Sequence, residues 1–117
     1  MKPNAIVLGW NRAVAGREKQ ANEHFAEFVG YLTELQGKGT IESFEPVIIG
    51  PHGGDMNGLF LIRGDGDKLS QLRGSEQWMQ HVIRGNLHME GFGVTDGFVG
   101  NQMMQLMTLW GQLIQKY

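Results

Sequence analysis

Cysteine is absent from the 117 residues. The chain therefore forms no disulfide, offers no thiolate nucleophile and holds no cysteine-ligated metal. Neither sign of charge dominates: 10 Lys+Arg against 12 Asp+Glu give a formal net charge of −2. The basic residues are also scattered, which argues against the electrostatic footprint that holds nucleic acid or an anionic membrane. Long hydrophobic runs are missing too. The first apolar run, AIVLGW at 5–10, is far too short for a membrane span or a signal sequence, so a cytoplasmic location is the expectation. No HExxH, facial triad or other paired ligand spacing occurs, and neither a metal nor a cofactor is expected.

Glycine is what the chain has in excess, with 18 residues spread without a period. The densest stretch is GPHGGDMNG at 50–58. A phosphate-cradling loop needs a strand before it and a helix N-terminus after it. This stretch lies between two strand-like segments and lacks the lysine and Ser/Thr of a Walker loop. It reads as a hairpin connection.

The rest of the chain reads as alternating elements without repeats or a long linker, so one domain over 1–117 is expected. Residues 5–10 are a buried strand. Ala21, Phe25, Phe28, Val29, Leu32 and Leu35 recur at helical spacing, and Gly37 and Gly39 close that helix. TIESFEPVII at 40–49 is a second strand, placed at an edge or bulge by Pro46. GLFLIR at 58–63 is a third. Asp67 caps a short helical turn, with Asp65 also serving that helix start, and Ser75 caps a helix that Gly85-Asn86 can end. EGFGVTDGFV at 90–99 alternates as a fourth strand, and residues 101–116 place Met103, Leu106, Met107, Trp110, Leu113 and Ile114 on one helical face.

The order βαββαβ plus a terminal helix predicts an α+β, ferredoxin-like antiparallel sheet, strands 4-1-3-2, with helices on one face. The strands are apolar on both faces, however. Antiparallel sheets with one wet face alternate apolar and polar residues, and a bare apolar sheet face is a patch that monomers avoid. The second face calls for the terminal helix or, preferably, a second copy across a two-fold axis.

In this order of elements, and in Ile49-Gly50-Pro51 followed by GLFLIRGDGDKLSQL, the chain resembles the dimeric α+β barrel superfamily over roughly residues 4–100. The YCII-like and antibiotic-biosynthesis-monooxygenase-like branches are the ones it echoes. The resemblance implies a homodimer whose sheets enclose a cavity for a small apolar or carbonyl-containing ligand. It also implies cofactor-independent oxygenase or isomerase chemistry. A YCII-like helix-one histidine would fall on His24, but the Asp-Pro that accompanies it has no counterpart here. The alternative is a non-catalytic dimeric module whose barrel is plugged by Trp10, Phe44, Phe92 and Phe98.

Candidate site residues follow from chemistry. His24, beside the apolar stripe near Phe28 and Tyr31, suits a general base at neutral pH. His52 and Asp55 share the glycine-rich loop. Glu42, Arg63 and Asp96 are charged residues on otherwise apolar strands; inside an enclosure they would have a perturbed pKa and orient a ligand. Trp10 ends the first strand near the same mouth. His81 and His88 are separated by the Gly85-Asn86 break and are not expected to act together.

Overall fold

Along the chain the elements are β1 (Ala5–Trp10), β2 (Arg12–Ala13), α1 (Glu18–Gly37), β3 (Ser43–Ile48), β4 (Gly58–Arg63), α2 (Gly66–Arg73), α3 (Glu76–His88), β5 (Met89–Glu90), β6 (Gly93–Gly97) and α4 (Asn101–Lys116). The computed structural model describes residues 1–117. The apolar run at 5–10 becomes the inner strand β1, paired antiparallel with β4 on one side and β6 on the other. β3 adds to the outer side of β4, giving the order β3-β4-β1-β6. Counting these four strands alone and reading from the β6 edge, the order is 4-1-3-2. Pro46, which has no N–H to give a neighbour, lies on the edge strand β3. β2 and β5 pair as a separate small ribbon.

Register decides which residues face the helices. Leu8 lies between Phe60 and Val94, and Ile6 between Ile62 and Asp96. Ile6, Leu8, Phe60 and Ile62 are almost fully buried and join Phe28, Leu32, Leu69 and Trp78 of the helices in one core. Trp10, Phe44, Phe92 and Val94 pack against that same core. Three of the four aromatics that would have plugged a barrel in the alternative reading, Trp10, Phe44 and Phe92, therefore sit on the helix side. The opposite face presents Val7, Leu59 and Leu61 between Val47 and Thr95. The shortest extent of the molecule is 21 Å, the thickness of one sheet and one helical layer. No third layer covers that second face.

Several local expectations need correction. β3 begins only at Ser43, because Thr40 and Ile41 turn back to give their N–H groups to the Leu35 carbonyl. The fourth strand is split: Gly91, at φ 65°, turns the chain between β5 and β6, a conformation glycine adopts without steric cost. α2 is capped by Asp65, which accepts from the Lys68 N–H at 3.1 Å, while Asp67 pairs with Lys2. The Ser75 hydroxyl caps α3 by accepting from the Trp78 N–H, as its position suggested. α3 does not stop at Gly85-Asn86 but runs to His88. A Cβ on Gly85 would stand 2.7 Å from the Phe92 ring, so this glycine serves close packing rather than termination.

The glycine-rich stretch connects β3 to β4 and is organised by its own histidine. His52 Nε2 donates to the Met56 carbonyl at 2.8 Å, and Nδ1 accepts from the Gly54 N–H at 3.2 Å. It precedes a strand and not a helix, so no helix terminus faces it.

Candidate functional site

The continuation of α3 creates a site that local sequence signals hid. With the helix unbroken, His81 and His88 are two turns apart on one face. That face packs against α1, where His24 is only 8% exposed. His24 Nε2 and His81 Nδ1 are 3.0 Å apart, with ring planes within 10° of each other. The distance is that of a hydrogen bond, so one imidazole donates and the other accepts. The Tyr31 ring lies 4.5 Å from that of His81, and the Phe28 ring 5.2 Å from it. The His88 ring stands edge-on to His24 at 5.6 Å, with its Nδ1 buried and unpartnered.

Burial is the main reason these rings resist protonation. It pushes His24 down to about 4, helped by the Arg84 guanidinium and the other two histidines. Burial and Arg84 also lower His81, and burial and Arg17 lower His88. Arg84 is held by Glu27 at 2.6 Å, which only partly offsets its field at His24. The pair is therefore neutral at pH 7, a donor joined to an acceptor.

A pocket of about 60 Å³ opens beside the pair, lined by Trp10, Phe25, Phe28, Phe60 and Phe92 among other apolar residues. His24 and His81 are its only titratable side chains. Ala21, Phe25, Met89 and Phe92 are half-buried, so the pocket reaches the surface. Trp10 forms one wall by lying over Gly58, where a Cβ would collide with its ring. Gly58→Ala is expected to displace Trp10 and cost about 1–3 kcal/mol. Chemical denaturation together with tryptophan fluorescence checks this, and an unchanged Trp10 environment would contradict it.

Of the residues singled out by their chemistry, Trp10 and His24 come together in this pocket. The others lie elsewhere. Glu42 is exposed in the turn before β3, its N–H bonded to the Arg63 carbonyl. Arg63 pairs with Glu45 at 2.7 Å on the uncovered sheet face. Asp96 is on the helix side and pairs with Arg73 of α2. Alternation explains the separation: Arg63 is opposite Ala5 and Asp96 is opposite Ile6, successive residues that point to opposite faces. His52 and Asp55 stay in the exposed β3–β4 loop. Larger hollows of about 330 and 290 Å³ flank Arg73, whose charge Asp96 already meets.

Among known structures, the chain superposes on a dimeric protein of unknown function and ferredoxin-like fold from Bacteroides fragilis NCTC 9343. The TM-score is 0.59 over 81% of this chain and 94% of that one, at 10% identity. This chain has a ferredoxin-like fold. At that identity the likeness extends to the fold and no further. No family model and no curated protein matches the sequence.

Chemically, the pocket offers a low-dielectric wall and two neutral imidazoles already sharing a proton. One can take a proton from a bound molecule; the pair then carries the added proton as a cation, shared across the His24–His81 hydrogen bond and facing the anion that the molecule becomes. No helix is long and apolar enough to cross a membrane, and no group of three His, Asp or Glu side chains is placed to hold a metal ion.

Proposed function

We propose that this chain binds one end of a small, uncharged, largely apolar molecule between α1 and α3 and moves a proton on it, as a cofactor-independent isomerase does. His24 is the general base and His81 its proton partner. The observation that carries this reading is the hydrogen-bonded His24–His81 pair, the only titratable groups in an aromatic pocket. Perturbed titratable groups that converge on such a pocket are the usual mark of a functional site. At about 60 Å³ the space takes roughly two waters, which suits the reacting end of a carbonyl compound with its remainder at the mouth. The test is exchange of α-protons for solvent deuterium in cyclohexanone and phenylacetaldehyde, followed by proton NMR. Exchange above the buffer rate is expected, and His24→Gln should lower it about 10²–10⁴-fold. Exchange that survives in His24→Gln, or none with either probe, would sink the catalytic reading. It would leave the chain a non-catalytic structural module.

The same proposal includes a homodimer in which the uncovered sheet face meets its counterpart in a second copy. Two such faces enclose a barrel lined by Val7, Leu59 and Leu61, with the Arg63–Glu45 pair near one edge. The bare apolar face supports this, as does the dimeric state of the Bacteroides protein. Leu61→Lys would place a charge in the middle of that contact. Sedimentation at micromolar concentration should report at least twice the chain mass for the native protein and a smaller or weaker assembly for the variant. A native monomer would remove the barrel.

A further inference from the structure

The terminal helix α4 contributes no residue to the pocket. None of its 16 residues is buried. Gln102 and Leu106 are half-buried, so one flank leans on the body. Beside that flank runs an uncovered stripe: Met103 is 40% exposed, Met107 58%, Trp110 60% and Ile114 66%. Tyr117 extends it at the chain end, 92% exposed. With Met104, Leu109 and Leu113 also exposed, the apolar surface is on the order of 500 Å², at the upper end of what a monomer shows.

The spacing says what kind of surface the stripe fits. From Met103 to Tyr117 the steps are 4, 3, 4 and 3 residues. That is the alternation of inner positions in a helix pair, where the mean step of 3.5 keeps one seam facing a partner helix. A stripe meant for a sheet face or a broad core is wider and follows 3.6. The helix carries one charged residue, Lys116, and its back is Asn101, Gln105, Thr108 and Gln112. Two such helices can approach without like-charge repulsion, and the basic face of a membrane-surface helix is missing. Two heptads are too short to hold a pair alone. Here the start of the helix is tied to the body by Asn4, whose side-chain amide donates to the Val99 carbonyl and whose Oδ1 accepts from the Val99 N–H.

We propose that α4 pairs with α4 of a second copy along the seam Met103–Met107–Trp110–Ile114. The contact is isologous, one patch meeting itself about a two-fold axis, and it therefore closes. It does not depend on how the uncovered sheet face is filled. Burying two such stripes against each other gives roughly the 1,000 Å² a specific contact needs.

Because the chain has no cysteine, single introduced cysteines report on the seam without background. Met107→Cys and Trp110→Cys should give disulfide-linked dimers under mild oxidation. Gln105→Cys and Gln112→Cys, on the opposite side, should not. In the full chain, Met107→Glu with Trp110→Glu should raise the dissociation constant of the assembly at least tenfold, with the far-ultraviolet circular dichroism of the body unchanged. Linkage equal at seam and back positions, linkage at neither, or an assembly indifferent to the glutamates would overturn the proposal.

Discussion

Trp78→Ala should lower the stability of this protein by about 3–5 kcal/mol, the upper range for truncating a buried side chain. Trp78 opens α3 and is only 1% exposed. Its ring lies 5.9 Å from that of Phe28, and Phe28 in turn contacts Phe60 of the sheet at 5.1 Å. Truncation would remove the wedge that fixes α3 against α1 and leave a cavity too deep for the helices to close. In a domain with a total stability of about 5–15 kcal/mol the loss is a large share, and it corresponds to a fall in Tm of roughly 10–20 °C. Calorimetry checks the number. A loss below about 1 kcal/mol would mean that the α1–α3 contact does not depend on this residue. The same change should also disturb His81, one turn further along α3, so histidine NMR signals should move together with stability.

Acidification should destabilise the fold between pH 6.5 and 4, with His24 the largest contributor. In the unfolded chain this histidine takes up a proton near its ordinary 6.5, whereas in the fold burial holds it to about 4. The folded value is depressed, so the unfolded state binds more protons in that window. Stability therefore rises with pH across it. The contribution of a neutral His24 is complete above pH 6.5 and is lost as pH falls toward 4. Its size is about 2 kcal/mol, after discounting the full shift for partial access of solvent. His81 and His88 are lowered as well and act with the same sign. Glu27, which the hydrogen bond and charge of Arg84 hold below its ordinary value, also loses its contribution on acidification, but below pH 4.5. The window above that belongs to the histidines. His24→Gln should reduce the slope of the stability profile between pH 4.5 and 6.5 while leaving the Glu27 contribution below 4.5. Urea denaturation across pH checks this, and an unchanged slope in the variant would assign the effect to other groups.

The first and third of the expected strands were legible because their signals are local. Residues 5–10 and 58–63 are unbroken apolar runs, and Pro46 declared an edge. Ser75 announced α3, and the absence of cysteine excluded thiol chemistry. The site was not legible, because it depends on contacts distant in sequence. Gly85-Asn86 is a strong stop signal read alone, and only the packing of Gly85 against Phe92 shows why α3 passes through it. Once it does, the spacing of His81 and His88 becomes two helical turns, the one clue the sequence held. His24 and His81 are 57 residues apart, and no periodicity links them. Glu42, Arg63 and Asp96 drew attention as charges on apolar strands. Pairing register, invisible in one sequence, sends Arg63 and Asp96 to opposite faces, and each of these two finds an ion-pair partner there.

A neutral, coupled His24–His81 pair facing a ligand-accepting pocket between α1 and α3 is the feature on which the proposed function stands. Nitrogen-15 NMR of the imidazole rings, recorded from pH 3.5 to 8 with and without millimolar phenol, tests it most directly. His24 should stay neutral down to about pH 4, one of the two bonded nitrogens should carry the shared proton at pH 7, and phenol should shift both rings together. A His24 that titrates near the ordinary histidine value of about 6.5, independently of His81 and indifferent to phenol, would contradict it.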